Sequence, residues 1–190
     1  MFGTIPKLPY VIVDRFITPI ERDTSIGIFS KLSDMVDGMS TVRNPVQSRP
    51  ISYMDHEVAN WFKNSIVNHM EKSRIETILV RISIPIDINK VHKFISEVRV
   101  PGKNGEMKSV FPLNARQLAS FLISRKLQSF NGSGPIVVVT PSIIHGKNGN
   151  FLVAIGQRHS IYSPVRPIGV ALSHMPILPR TMYLVRGEID

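Results

Sequence analysis

The chain has 190 residues, of which 43% are hydrophobic, with a formal net charge of +9 and no cysteine. This composition is typical of a folded protein and excludes disulfide bonds, thiol nucleophiles and cysteine-based metal sites. No apolar run is long enough to cross a bilayer, and the first residues lack the features of a secretory signal. We therefore expect a cytoplasmic protein with no membrane partner.

The positive charge is unevenly distributed along the chain. Residues 1–75 hold nine Lys or Arg and eight Asp or Glu, whereas the segment between Glu106 and Glu188 holds nine Lys or Arg and no acid. Such asymmetry is typical of a surface that faces a polyanion. It favours nucleic acid as the partner, with acidic protein or anionic lipid as the other readings of a basic chain.

The first fifty residues predict an N-terminal arm. Five prolines oppose a long helix or a central strand there and leave room for a short strand over 10–13 and a helix over 26–39. The clearest helix is predicted over 53–73, because apolar residues recur there at steps of three and four: Val58, Trp61, Phe62, Ile66 and Met70. We place the folded core at 51–130.

Residues 77–86 are the most informative stretch and predict a strand. Isoleucine or valine at positions 78, 80, 82, 84 and 86 would face one side, and Thr77, Leu79, Arg81 and Ser83 would face the other, because strand side chains alternate. The second side carries hydrogen-bonding groups in a part of the chain that is short of acids. Such a strand can read the edges of DNA bases.

Two further helices are predicted in the core. Asp87 offers a cap for a helix that runs to about Val98, and Asn114 offers a cap for a helix that runs to about Gln128. Between them, Pro-Gly-Lys-Asn-Gly predicts a hairpin within 99–111.

Residues 131–190 predict a β-rich extension that is also rich in proline. Its expected elements are a buried strand over 136–139, a hairpin that turns at 147–150 and an edge strand over 182–185.

The segment from Thr77 to Gln128 resembles the ribbon-helix-helix fold of MetJ- and Arc-type DNA-binding regulators. In that family, one strand per subunit pairs antiparallel with its dimer mate, and the two-stranded ribbon enters the major groove of DNA. The resemblance implies an α+β protein in which a dimeric ribbon-helix-helix core carries an N-terminal helical extension and the C-terminal β-rich extension. The chain departs from the family at 99–113, where the family has only a short turn.

The resemblance also implies which residues contact DNA. Leu79, Arg81 and Ser83 occupy the outward strand positions that contact bases, and Arg81 would favour guanine. The family holds a backbone phosphate at the N-terminus of its second helix, and the corresponding positions here are Asn114, Ala115 and Arg116.

The function implied is that of a homodimeric, sequence-specific transcriptional regulator of double-stranded DNA, with no cofactor. A basic regulator of this kind suits a plasmid or another mobile element. The terminal extensions would stabilise the dimer or contact another protein.

Two alternatives remain open. The same elements, read as βαββαβ over 77–140, match the ferredoxin-like fold shared by many RNA-binding domains. An RNA-binding or RNA-processing protein of that fold could use His145 or His159 as a general base. A basic viral structural protein, of the matrix or nucleoprotein kind, would share the charge pattern as well.

We predict neither a catalytic nor a metal site. The six histidines lie at no spacing that places two ligands on one face of a helix or strand. The glycine-containing segment 131–135 lacks the lysine of a phosphate-binding loop, and carboxylates are scarce where the fold is most ordered. The sequence therefore favours a binding protein over an enzyme.

Overall fold

The computed structural model describes residues 9–36, 50–68, 72–129, 135–147, 149–157, 168–173 and 181–188. Within them the chain forms four α-helices: α1 (Ser25–Asp34), α2 (His56–Ser65), α3 (Val91–Glu97) and α4 (Ala115–Ile123). The strands of the same segments are β1 (Tyr10–Pro19), β2 (Ile51–Met54), β3 (Arg74–Ile82), β4 (Arg99–Pro101), β5 (Met107–Ser109), β6 (Ile136–Val138), β7 (Ile144–Gly146), β8 (Gly149–Gln157), β9 (Ile168–Ser173) and β10 (Met182–Gly187). Short 3₁₀ helices cover Ile88–Lys90 and Lys126–Ser129.

Eight of these strands form one mixed sheet. Seven lie in the order β1-β3-β10-β6-β8-β9-β2, and β7 pairs with the beginning of β8. The pairs β10–β6 and β2–β9 are parallel, and the other pairs in the sheet are antiparallel. Strands β4 and β5 form a separate two-stranded hairpin. The predicted α+β class is therefore confirmed.

Strand β3, which contains most of the predicted ribbon, lies inside this sheet. Ile78 is opposite Arg15 of β1 on one edge and Val185 of β10 on the other, so both edges of β3 are paired within one chain. A ribbon shared between two subunits needs a free strand edge. The fold therefore does not match a small ribbon-helix-helix core, and the segment 77–86 is corrected to an internal strand that ends at Ile82.

The ferredoxin-like alternative fails in its sheet rather than in its element order. The chain does run β3, α3, β4, β5, α4, β6, as that alternative requires. In the sheet, however, β10 lies between β3 and β6, and the β4–β5 hairpin stands apart. The four strands that a ferredoxin-like fold requires therefore do not lie together in one sheet.

Three helices cover one face of the sheet. Helices α1, α2 and α4 pack against one another and against the strands, and their shared core includes Leu32, Phe62, Phe121, Leu79 and Leu184. Complete burial of one such side chain contributes about 1.5–3 kcal/mol. This face therefore fixes the position of α4, whose residues 115–122 are all buried.

The other face of the sheet is covered by α3 and the β4–β5 hairpin. Val91 and Ile95 of α3 belong to the same buried cluster as Ile78 and Val80 of β3. Strand β3 is consequently covered on both faces. Strands of this kind read as nearly continuous apolar runs, as Ile-Leu-Val does at 78–80.

The sheet takes strands from all three predicted segments of the chain. Strand β1 comes from 1–50, β3 from 51–130, and β6 and β10 from 131–190. The prediction of an edge strand over 182–185 is wrong, because β10 lies between β3 and β6 in the sheet. Among the described helices, none combines the length and the apolar character needed to cross a membrane.

Candidate nucleic-acid interface

The three predicted base-contact residues have different surroundings. Leu79 is fully buried beneath the helices, so its prediction as an outward-facing contact is wrong. Arg81 and Ser83 are exposed at the end of β3. The alternation of side chains was read correctly, but the side taken as outward is covered by α1, α2 and α4. Only Arg81 and Ser83 are left on a surface that nucleic acid can reach.

The predicted phosphate contacts at the N-terminus of α4 are largely structural. Asn114 is the N-cap: its side chain accepts from the Gln117 N–H at 2.9 Å, and the Gln117 side chain accepts from the Asn114 N–H at 3.1 Å. Ala115 is buried, with 2% of its surface exposed. The cap prediction is confirmed, and the prediction of Ala115 as an accessible contact is wrong.

Arg116 is also buried, and its guanidinium serves the fold. Nε and Nη2 donate to the Glu21 carbonyl at 3.1 and 2.6 Å, Nη2 donates to the Asp23 carbonyl at 2.9 Å, and Nη1 donates to the Val67 carbonyl at 2.8 Å. Arg116 thereby ties the β1–α1 connection and the segment after α2 to helix α4. Its predicted role as a phosphate contact is corrected to that of an internal anchor.

A basic surface instead forms around Arg186, at the same end of α4. The backbones of Phe111 and Arg186 exchange two hydrogen bonds of 2.7 Å, and the guanidinium carbon lies 5.2 Å from the centre of the Phe111 ring. This distance is within the range of a cation–π interaction. Arg186 is thus held against an aromatic ring in a defined position.

Two cavities share Phe111 and Arg186, and we call them the Arg186 cavities. One, of about 300 Å³, is also lined by Lys72, Arg74 and Glu188. The other, of about 280 Å³, reaches Asn114 and Gln117 at the start of α4. Three basic side chains and one acid therefore line the first cavity, and a helix N-terminus, which favours anions, borders the second.

The neighbouring acids limit how positive this surface is. Glu76 is paired with Arg15 at 3.1 Å, and its carboxylate lies beside Gly187. Glu188 is the acid in the lining of the larger cavity. With Lys72, Arg74 and Arg186 counted against Glu188, that lining carries a formal charge of +2.

The sequence analysis did not predict the basic residues of the Arg186 cavities, although two of them stand out in the sequence. Lys72 and Arg74 lie on alternate positions just before the apolar run of β3, where a basic pair stands out. Arg186 and Phe111 come from distant parts of the chain. Only the pairing of β10 with β3 brings Arg186 close to Lys72 and Arg74.

Of the two histidines considered for RNA processing, the described residues include one. His145 lines a cavity between α2 and the β7–β8 hairpin, whereas His159 lies outside the described residues. His92 is bonded through Nε2 to the Thr140 carbonyl at 2.6 Å, so it has a structural partner. In the described parts of the chain, no three His, Asp or Glu side chains are grouped so that they could hold a metal ion.

No protein-family model, curated protein or solved structure matches this chain. The fold and the cavities define it as an α+β protein with a mixed eight-stranded sheet and a basic surface around Arg186.

Proposed function

We propose that the protein binds nucleic acid, with backbone phosphates in the Arg186 cavities. The observation that carries the proposal is the convergence of Lys72, Arg74 and Arg186 on one cavity beside Phe111. Lys and Arg side chains supply most of the affinity of proteins for the phosphate backbone, and Arg binds phosphate through two parallel hydrogen bonds. The net charge of +9 supports the same partner by attracting a polyanion from a distance.

The finer proposal is a homodimeric regulator that recognises a sequence in double-stranded DNA. Arg81 and Ser83 remain its candidate base contacts because both are exposed. They would act from the end of an internal strand and not from a ribbon. Arg81 lies seven positions along β3 from Arg74, which corresponds to about 23 Å at the rise of a strand. One duplex would have to span that distance to meet both residues.

The proposal is tested by the salt dependence of binding. Fluorescence anisotropy with labelled duplex DNA, single-stranded RNA and a structured RNA, each at several salt concentrations, gives an affinity and a slope for each nucleic acid. Replacement of both Lys72 and Arg74 by alanine should lower the logarithmic salt slope on duplex by about 2, because each lost phosphate contact contributes about 0.9. Both side chains are exposed, so the fold should tolerate the change.

The matched control removes the same charge from another surface. Lys90 and Lys93 are also exposed, but they lie at α3, on the opposite face of the sheet from α4. The Lys90→Ala/Lys93→Ala variant should keep the wild-type slope. Equal losses in the two double variants would show that only overall charge matters, and an unchanged slope in Lys72→Ala/Arg74→Ala would refute the proposed contact.

The choice of nucleic acid decides the finer proposal. If Arg81 contacts a base, Arg81→Ala should cost about 1–3 kcal/mol on a selected duplex and relax the preference at one position. Stronger binding to RNA than to duplex DNA would instead identify an RNA-binding protein. Large assemblies and indifference to sequence would identify a structural, matrix-like protein.

A further inference from the structure

A second cavity is lined by polar groups that the proposed phosphate contacts do not use. It has a volume of about 360 Å³ and lies between α2 and the β7–β8 hairpin, and we call it the α2–β7 groove. Cavities that bind small molecules usually have volumes of about 300–1,000 Å³. The groove shares no lining residue with the Arg186 cavities, so it is a separate site.

Glu57 has an unpartnered carboxylate oxygen in the wall of this groove. Its backbone N–H is capped by the Asp55 side chain at 2.8 Å, which fixes Glu57 in the first turn of α2. Oε1 accepts from the Lys147 N–H at 3.2 Å, whereas Oε2 is buried with no hydrogen-bond partner among the described residues. The helix dipole accounts for an acid at this position. It does not account for a buried carboxylate oxygen without a donor, which is destabilising.

Gly146 is what allows the carboxylate to lie there. A Cβ atom at position 146 would overlap Glu57 Oε2 and would also press on the Phe151 ring. The last torsion of a glutamate side chain is broad and soft. A small rotation of the carboxylate can therefore present an oxygen to a donor in the groove.

Two histidines complete a set of donors and acceptors. Nδ1 of His145 is 2.6 Å from the amide oxygen of Asn150, which can only accept, so that nitrogen carries a proton, and in the neutral ring Nε2 is then an acceptor. Nδ1 of His56 accepts from the Asn60 amide at 3.2 Å, which leaves the proton of the neutral ring on Nε2 as a donor. Trp61, one turn after Glu57, adds a flat aromatic surface to the lining.

We propose that the α2–β7 groove binds a guanine base, with its Watson–Crick edge toward Glu57 and His56 and its ring against Trp61. Guanine is the one common base with two adjacent donors on that edge, N1–H and the 2-amino group, and a carboxylate accepts only. Its neighbouring O6 would accept from the His56 Nε2–H. The ligand is either a free guanine nucleotide or an unpaired guanine within a strand, and the second form rests on the proposed nucleic-acid binding.

The single tryptophan makes the groove directly observable. Trp61 is the only tryptophan of the chain, so its fluorescence reports on this site alone. Guanosine monophosphate should change that fluorescence saturably. Inosine monophosphate, which lacks the 2-amino group, and adenosine monophosphate should each bind about tenfold more weakly or worse, because a hydrogen bond to a charged group is lost.

Variants of Glu57 test the assigned contact. Glu57→Gln should weaken guanosine monophosphate about tenfold and remove the preference over inosine monophosphate, with an unchanged circular dichroism spectrum as evidence of folding. Glu97→Gln, on α3 and exposed, is the matched control and should bind as the wild type does. Gly146→Ala should act like Glu57→Gln, because it displaces the carboxylate.

Two outcomes would overturn the proposal. One is full retention of guanine preference in Glu57→Gln. The other is a Glu57-dependent response to spermidine with none to guanosine monophosphate, which would show that the carboxylate binds a cation.

A stem-loop with one unpaired guanine, compared with the same stem-loop carrying adenine at that position, shows whether the groove binds guanine within a strand or only the free nucleotide. Lys72→Ala/Arg74→Ala should weaken the stem-loop and leave guanosine monophosphate unaffected, so failure of the phosphate contact and failure of the groove are distinguishable.

Discussion

Replacement of Arg116 by methionine distinguishes an internal anchor from a phosphate contact. Arg116 is 3% exposed, and its guanidinium donates to the carbonyls of Glu21, Asp23 and Val67. Methionine keeps most of the apolar stem and removes the donors. The variant therefore leaves three carbonyl oxygens without the charged group that they share, in a region that connects β1, α1, α2 and α4.

The expected loss follows from these bonds. A hydrogen bond to a charged group contributes about 1.5–3 kcal/mol, but bonds that share one group are not additive. Each carbonyl oxygen left without a donor costs about 1–3 kcal/mol, so with three of them we expect Arg116→Met to cost about 3–5 kcal/mol. With a urea dependence of about 2 kcal/mol per molar, the midpoint of unfolding should fall by about 2 M.

Urea unfolding and nucleic-acid binding together test this reasoning. Arg125→Met, at an exposed position just after α4, is the control and should stay within about 0.5 kcal/mol of the wild type. Under conditions where Arg116→Met is still folded, its salt slope should equal that of the wild type. An unchanged midpoint with a salt slope lowered by about 1 would show that Arg116 contacts phosphate and is not an internal anchor.

Three further substitutions test a helix cap, a buried hydroxyl without a partner and a buried hydrogen bond. Asn114→Ala removes the N-cap of α4 and should cost about 1 kcal/mol in thermal unfolding; no loss would contradict the capping role. Tyr183→Phe should raise the free energy of unfolding by about 1 kcal/mol, because the buried hydroxyl has no partner among the described residues. Burial also raises the pKa of Tyr183 above 10.0, so the wild type should lose stability above about pH 10, where only the unfolded tyrosine ionises. Urea titrations between pH 9 and 11 should show a smaller loss in the variant, and equal losses would contradict the burial. Thr77→Val should cost about 1–3 kcal/mol by orphaning the Thr18 hydroxyl, which lies 2.8 Å from that of Thr77. Thr18→Val/Thr77→Val should recover most of this loss, and a double variant as unstable as the single one would refute the pairing.

Local signals in the sequence were sufficient for several elements. Asn114 caps α4 as predicted, and the Asp87 side chain accepts from Asn89 N–H at the start of the turn that leads into α3. The hairpin predicted within 99–111 is formed by β4 and β5. Capping residues and turn residues act on backbone groups two or three positions away, so their effect is readable without knowledge of the tertiary structure.

Elements that depend on distant partners were misread. The helix predicted from residue 53 begins only at His56, with Asp55 as its N-cap. Residues 53 and 54 belong instead to β2, which pairs in parallel with β9 more than a hundred residues later. Strand β1 extends to Pro19, which the edge of a sheet tolerates, while the prediction stopped at position 13. Pairing across the sheet overrode the local preference in each case.

The orientation of β3 shows why the predicted site was displaced. Alternation predicts one covered and one open face, yet the unbroken Ile-Leu-Val run at 78–80 is typical of a strand covered on both faces. Alternation therefore predicts that Leu79 faces solvent, although the helices lie over it. Which side chains of an internal strand remain accessible depends on what covers each face, and here the accessible ones lie at its ends.

Charge alone also does not decide which basic residues can meet a ligand. Arg116 stands at a helix N-terminus, where sequence reasoning expects an anion, but the carbonyls of two neighbouring connections already occupy its guanidinium. The basic groups that line the larger Arg186 cavity come from the segment before β3, from the first residue of β3 and from β10. Because Arg186 is opposite Thr77 and bridges to Phe111, the larger Arg186 cavity exists only when β10 is inserted between β3 and β6. The proposed phosphate site thus depends on the assembled sheet, and pairing of β10 within it is a condition for binding.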